Sequence, residues 1–280
     1  MNGYGLLRRV YVRPPDAQNL ASWEAFGWHR APDPRSIERE HQAFRERLAE
    51  AGAEVVTGAT PVPGDPDAIY AYDPVLVIDD GAVMLRPGKV ERRAEPRAVA
   101  RDLEASGVPV LAALEPPATA EGGDLVFLDD DTLLAGIGYR TNTAGAEQLA
   151  SLLEPRGIIV HRFDLPFHRG PDACLHLMSF LSPLDVDLVV AYLPMMPVRL
   201  AQLLAQRGIR TVEVPDEELP TMGPNVLALG PRVALALDGN PQTRRRLEAA
   251  GVDVRVYQGA HVSLNGDGGP TCLTRPLARG

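Results

Sequence analysis

Apolar positions along this chain follow two periods that alternate. Residues spaced three and four apart, such as Phe44, Leu48 and Ala51, predict amphipathic helices, because that spacing lines one helical face. Comparable spacings recur at Val99, Leu103 and Ala105, at Leu149, Leu152 and Leu153, at Leu200, Leu203 and Leu204, and at Leu247, Ala249 and Ala250. Each predicted helix runs into a glycine and then a short apolar strand. The five junctions are AGAEVV at Gly52, SGVPVL at Gly107, RGIIVH at Gly157, RGIRTV at Gly208 and AGVDVR at Gly251. Glycine suits a helix C-terminus, where the chain must turn left-handed without a Cβ clash. Ahead of several helices lie two apolar segments broken by a turn: PVLVIDDGAVML (74–85), LVFLDDDTLLAGI (125–137) and NVLALGPRVALAL (225–237). Asp80-Gly81 and the Asp129-Asp130-Asp131 run supply the turn chemistry.

The repeating unit therefore reads strand, strand, helix, strand, with its glycines 55, 50, 51 and 43 residues apart. Units of that size cannot each bury a core alone. The expected fold is an α/β, five-fold pseudosymmetric propeller of ββαβ repeats, forming one domain over residues 1–280. A doubly wound α/β sheet, whose helices also end in glycine, is the alternative on pattern alone.

Composition narrows the function classes. The 280 residues are 45% hydrophobic and carry a formal net charge of -9, as expected of a globular chain with ample core. An acidic balance argues against nucleic-acid partners and anionic membrane surfaces. No apolar run approaches the ~20 residues of a membrane span, and MNGYGLLRRV lacks the apolar stretch of a signal peptide. Two cysteines, Cys174 and Cys272, are too few for a disulfide scaffold or a four-cysteine zinc site. A reducing cytoplasm is the default location. Gly136 and Gly138 lack the third glycine and the lysine of a phosphate loop, so nucleotide binding is unsupported.

Four stretches place reactive side chains beside turns. In DAIYAYDP, Asp67 follows Pro66 and reads as a turn cap, whereas Asp73 before Pro74 can cap a turn or face a ligand. Glu121-Gly122-Gly123-Asp124 is either a solvated acidic turn or a place where backbone approaches a ligand closely. In DACLHL, alternation puts His176 on one strand face with Cys174 and Met178, where a histidine is commonly a satisfied core residue. The loop NGDGGPTC delivers Cys272 near the end of the chain. A cysteine there is a buried small hydrophobe, or a nucleophile once a cation favours its thiolate. Its glycines would permit close contact between backbone and substrate.

Taken together in this order, AYDPVLVIDDGAVMLRPGKVERRAE (71–95), EGGDLVFLDDDTLLAGIGYRTN (121–142), DACLHL (172–177) and GGPTCLTRPL (268–277) carry a resemblance that covers nearly the whole chain. The sequence resembles the guanidino-group-modifying enzymes: dimethylargininase (dimethylarginine dimethylaminohydrolase), arginine deiminase and the amidinotransferases. These share a five-bladed α/β propeller, the pentein fold. The resemblance implies Cys272 as nucleophile on the guanidinium carbon, His176 as general acid/base and Glu121 as its acidic support. It implies Asp73 as the carboxylate that holds guanidinium nitrogens. Arg140 and Arg92 match positions that grip a substrate carboxylate, and Asp67 matches a further substrate-binding acid. No metal or organic cofactor is implied, and the partner is a small guanidino substrate, with a homo-oligomer left open.

Two positions depart from the family pattern. Met178 stands where deiminases and amidinotransferases commonly carry an aspartate that dimethylargininases also lack, which points to the latter or to another substituted guanidine. Tyr72 replaces the acid that dimethylargininases usually place before the guanidinium-binding aspartate. Together they predict a less polar pocket. The resemblance implies a hydrolase of methylated arginine or a related guanidine, giving citrulline or another ureido product and an amine. The alternatives are a deiminase, an arginine dihydrolase or an amidinotransferase, and more remotely a non-catalytic binding propeller. Residues 13–36, long and without clear periodicity, are read as a lid or as a packed surface loop.

Overall fold

A computed structural model describes residues 1–280 apart from Asp172 and Cys174. Its strands form five separate three-stranded sheets, which rules out the doubly wound alternative and gives the α/β propeller. Four sheets are built from consecutive segments. These are β3 (Val75–Ile78), β4 (Gly81–Met84) and β5 (Val110–Ala113); β6 (Leu125–Phe127), β7 (Thr132–Ile137) and β8 (Ile159–Asp164); β9 (Leu181–Asp185), β10 (Leu188–Ala191) and β11 (Arg210–Glu213); and β12 (Val226–Gly230), β13 (Val233–Leu237) and β14 (Asp253–Tyr257). The fifth joins the two ends of the chain: β15 (Arg275–Arg279) pairs antiparallel with β1 (Leu7–Val12), and β1 pairs parallel with β2 (Glu54–Thr57).

In every sheet the middle strand has one antiparallel and one parallel neighbour, the latter reached through a helix. Those helices are α1 (Pro34–Glu50), α2 (Glu95–Ala105), α3 (Thr143–Leu153), α4 (Val198–Gln206) and α5 (Pro241–Ala249). The inner strands β3, β6 and β12 are buried throughout, whereas the outer β2, β5 and β11 carry exposed positions. This is why the runs beginning at β3, β6 and β12 read as unbroken apolar stretches, unlike β9 (LSPLD) and β15 (RPLAR).

Capping sets the helix starts. Asp33 accepts from Ser36 N at 2.9 Å with Pro34 at the first helical position of α1, and Asn142 accepts from Gly145 N at 2.7 Å at the start of α3. The five junction glycines have φ of 90, 83, 75, 68 and 87° in chain order, with open space where a Cβ would stand. Conformation, not crowding, requires glycine there.

Two local expectations change. The extended reading of 172–178 ends early, because Leu177–Ser179 closes a 3-10 turn, with His176 extended just before it. Cys174, expected on the His176 face, lies outside the described residues. The 13–36 segment holds a short 3-10 turn, Asn19–Ser22, and its last residues already belong to α1. Among the described residues no helix is long and apolar enough to cross a membrane.

Candidate active site

A cleft of about 940 Å³ brings together residues from several repeats, including Asp67, Asp73, Arg140, His176 and Cys272. Buried Glu121 lies behind its wall. The EGGD segment forms a tight turn against two neighbours. A Cβ on Gly123 would stand 2.7 Å from the His176 ring, and one on Gly122 would stand 2.1 Å from Tyr72 O. The paired glycines therefore let an imidazole lie flat on the backbone that carries two acids.

Those acids bracket the ring. Glu121 Oε2 is 3.4 Å from His176 Nε2, and Asp124 Oδ1 is 3.2 Å from His176 Nδ1. Both carboxylates are fully buried and His176 is 5% exposed. Only a doubly protonated ring can donate to both sides at once. Glu121 also accepts from Lys89 N at 3.0 Å and from Arg140 at 3.2 Å, while Asp124 accepts from Leu177 N at 3.2 Å. Burial raises the Asp124 carboxyl above its ordinary value, against the pull of His176.

Asp73 faces the same point. Its Oδ1 accepts from Gly123 N at 2.8 Å and its Oδ2 meets Arg92 at 2.6 Å. Burial alone would raise this carboxyl, but Arg92 and then His176 outweigh it and hold Asp73 down at about 2. One ligand atom from each of Asp73, Glu121 and His176 lies within 4.8 Å of the others. Such a cluster can hold a cation, whether a metal ion or an organic one.

Arg92 differs from its expected role as a carboxylate grip. It is 3% exposed, and its guanidinium bonds Asp73, both oxygens of Glu95 and Tyr70 O. Its geometry is that of a brace for Asp73. Asp67 is no turn cap either: it is buried, taking Trp28 Nε1 at 2.8 Å and Lys89 Nζ at 2.7 Å. Lys89 also donates to Phe26 O at 2.8 Å and lies 4.7 Å from the Phe26 ring centroid. Residues 24–27 and 29, from the 13–36 segment, thus line the cleft and are tied to it through Lys89 and Asp67.

The pocket expectation from Tyr72 is corrected. Its ring lies under the Arg275 guanidinium, 3.5 Å from ring centroid to Cζ, beside a small separate cavity of about 30 Å³. Met178 lines both that cavity and the cleft. Of these two positions, only Met178 lines the cleft.

Cys272 is half-buried, and its carbonyl accepts from Tyr72 N at 3.1 Å. Of its preceding glycines, Gly266 and Gly268 line the cleft, and the loop also packs closely on protein. A Cβ on Gly268 would stand 2.1 Å from the Tyr70 ring, and one on Gly269 2.4 Å from Asn225. Residue-level reading missed Lys89, the clasp of Asp124 on His176, and Asn225. Lys89 and Asp124 sit inside segments already singled out, but their partners are distant in the chain.

A family model described as arginine deiminase matches residues 66–200 and 195–279. An N(G),N(G)-dimethylarginine dimethylaminohydrolase from Streptomyces coelicolor is 32% identical over 233 residues, covering 83% of this chain and 82% of the relative. An arginine deiminase from Mycobacterium marinum is 31% identical over 191 residues, 58% of this chain; the chain spans about half, 47%, of that relative's length. Among solved structures, a cysteine-to-serine variant of the Pseudomonas aeruginosa dimethylarginine dimethylaminohydrolase complexed with citrulline superposes with a TM-score of 0.79 at 22% identity, covering 96% of this chain and 98% of that one.

Proposed function

Because the chain belongs to the arginine deiminase family, and so to the guanidino-group-modifying enzymes that act on C–N bonds of linear amidines, we propose that it hydrolyses a substituted guanidine through a covalent Cys272 intermediate. The observation that carries this reading is the cluster of Asp73, Glu121 and His176, of which Asp73 and His176 line the same cleft as Cys272 and Glu121 lies directly behind His176. A guanidinium is planar and cationic, so fixed carboxylates are the groups that hold it. We take residues 1–280 as one catalytic domain, supported by the sheet that joins β15 to β1.

The residues have these roles. Asp73, braced by Arg92, accepts from guanidinium nitrogens, with Glu121 as second acceptor. The bound cation favours the thiolate of Cys272. Sulfur adds to the guanidinium carbon and a C–S bond forms. The bond to one nitrogen then breaks as His176 passes its proton to the departing amine, leaving an amidino group on sulfur. Neutral His176 next takes a proton from water while the water oxygen adds to the same carbon. The C–S bond breaks, the thiolate returns and the ureido product leaves. Asp124 positions the ring through both steps. Arg140, and less directly Asp67 with Lys89, supply charge for the rest of the substrate.

Methylated arginine is the preferred substrate class, because Met178 offers a neutral thioether beside the guanidinium site. A thioether sits against methyl groups but leaves charged N–H donors unsatisfied, at ~1–3 kcal/mol per buried group. N-alkylated guanidines should therefore exceed plain arginine in kcat/KM by about 5- to 150-fold. Met178→Asp should move the ratio toward arginine. Colorimetric ureido detection across a panel of guanidino compounds, with the released amine identified, measures this. Faster turnover of arginine than of its methylated forms would replace this reading with deimination, which the arginine deiminase family match favours as the second reading.

A further inference from the structure

One side chain from a different repeat touches the sulfur. Asn225 Nδ2 stands 3.5 Å from Cys272 Sγ. Its amide cannot turn over, because Oδ1 accepts from Thr271 N at 3.1 Å and from Thr271 Oγ1 at 2.8 Å. A backbone N–H only donates, so the amide oxygen faces Thr271 and the NH2 group faces sulfur. Asn225 is 6% exposed, its own backbone N donates to Met222 O at 3.0 Å, and Gly269 packs flat against it. The donor is therefore fixed in place before any substrate arrives.

We propose that Asn225 is a catalytic residue of this site, whose side-chain N–H stabilises the Cys272 sulfur as an anion, both on attack and when the C–S bond breaks. The inference rests on the assignment of Cys272 as nucleophile. A donor aimed at sulfur favours thiolate over thiol, since hydrogen bonds to charged groups are the stronger ones. Among the described residues, three other sets of groups near the thiol act differently. The Tyr70 and Tyr257 phenols act electrostatically on Cys272 from two other elements, and burial, the largest cause, raises both above their ordinary value. They stay neutral. Thr271 Oγ1 is 3.9 Å from Sγ, but its proton is directed to Asn225. Asp73 and His176 share the cleft and act on the substrate side.

The test is the pH profile of iodoacetamide alkylation at Cys272 without substrate, with the modified residue located by peptide mass spectrometry. Asn225→Ala removes the donor without adding charge. Asn225→Asp keeps an acceptor for both Thr271 donors, preserving the turn, and puts oxygen where the N–H was. The midpoint should rise by about one pH unit in Asn225→Ala and by about one to two in Asn225→Asp, with kcat near neutral pH falling about tenfold or more. An unmoved midpoint in Asn225→Ala with Cys272 still alkylated overturns the inference, whatever happens to kcat. So does a rise confined to Asn225→Asp, which would be charge repulsion alone. A wild-type protein in which Cys272 resists alkylation while Cys174 reacts overturns the nucleophile assignment itself.

Discussion

Cys272→Ser should lose turnover by on the order of 10³–10⁶-fold while remaining folded. A serine hydroxyl has almost no anionic fraction near neutral pH. The oxygen would still fit the turn, because its backbone bonds do not involve the side chain: Cys272 O accepts from Tyr72 N at 3.1 Å and Leu273 N donates to Gly269 O at 3.2 Å. The thermal midpoint should stay within about 4 °C, the shift that ~1 kcal/mol produces in a chain of this size. Cys174→Ser should retain substantial activity. If the two serine variants exchange these behaviours, the nucleophile is Cys174 and the site must be redrawn.

His176→Ala should lower kcat by about 10²–10⁴-fold and leave KM little changed. The ring lies between the Glu121 and Asp124 carboxylates, at 3.4 and 3.2 Å, and in the proposed mechanism it serves the departing amine. In the proposed mechanism, removing it takes away the proton donor for the first step and the base for the second. Asp73 and Glu121, the proposed guanidinium acceptors, remain, so binding should persist. Steady-state kinetics with the preferred guanidine measures this, and normal kcat in His176→Ala would eliminate the role. Collapse of KM with kcat intact would make His176 a binding residue instead.

Much of the architecture is legible in the sequence because its signals are local. Each of the five junction glycines marks a helix end, and at all five the backbone adopts the left-handed conformation that the residue type implies. The paired apolar runs at 74–85, 125–137 and 225–237 become adjacent antiparallel strands for the same reason. The short alternation around His176 is different. A few residues of period two do not distinguish a strand from an extended residue leading into a 3-10 turn, and the turn at Leu177–Ser179 moves Met178 relative to His176.

Partnership across the chain is the other limit. Arg92 and Asp73 are 19 residues apart, and the Asn225–Cys272 contact spans 47. No periodicity states that Glu95 engages Arg92, or that Trp28 and Lys89 both close on Asp67. Tyr72 shows the same limit at one position. It neighbours Asp73 within the 71–74 turn that precedes β3, yet its ring meets Arg275 and does not line the cleft. Residue types gave the chemistry of the cleft; the packing of distant repeats decides which side chains enter it.

The most direct measurement is the mass of the protein during turnover. Wild-type enzyme mixed with saturating substituted guanidine, quenched in acid at a series of short times and mapped by peptide mass spectrometry, should carry an amidino group on Cys272 that decays as ureido product and amine accumulate. Steady formation of ureido product with no adduct at any quench time, or with the adduct on another residue, would contradict a covalent mechanism through Cys272.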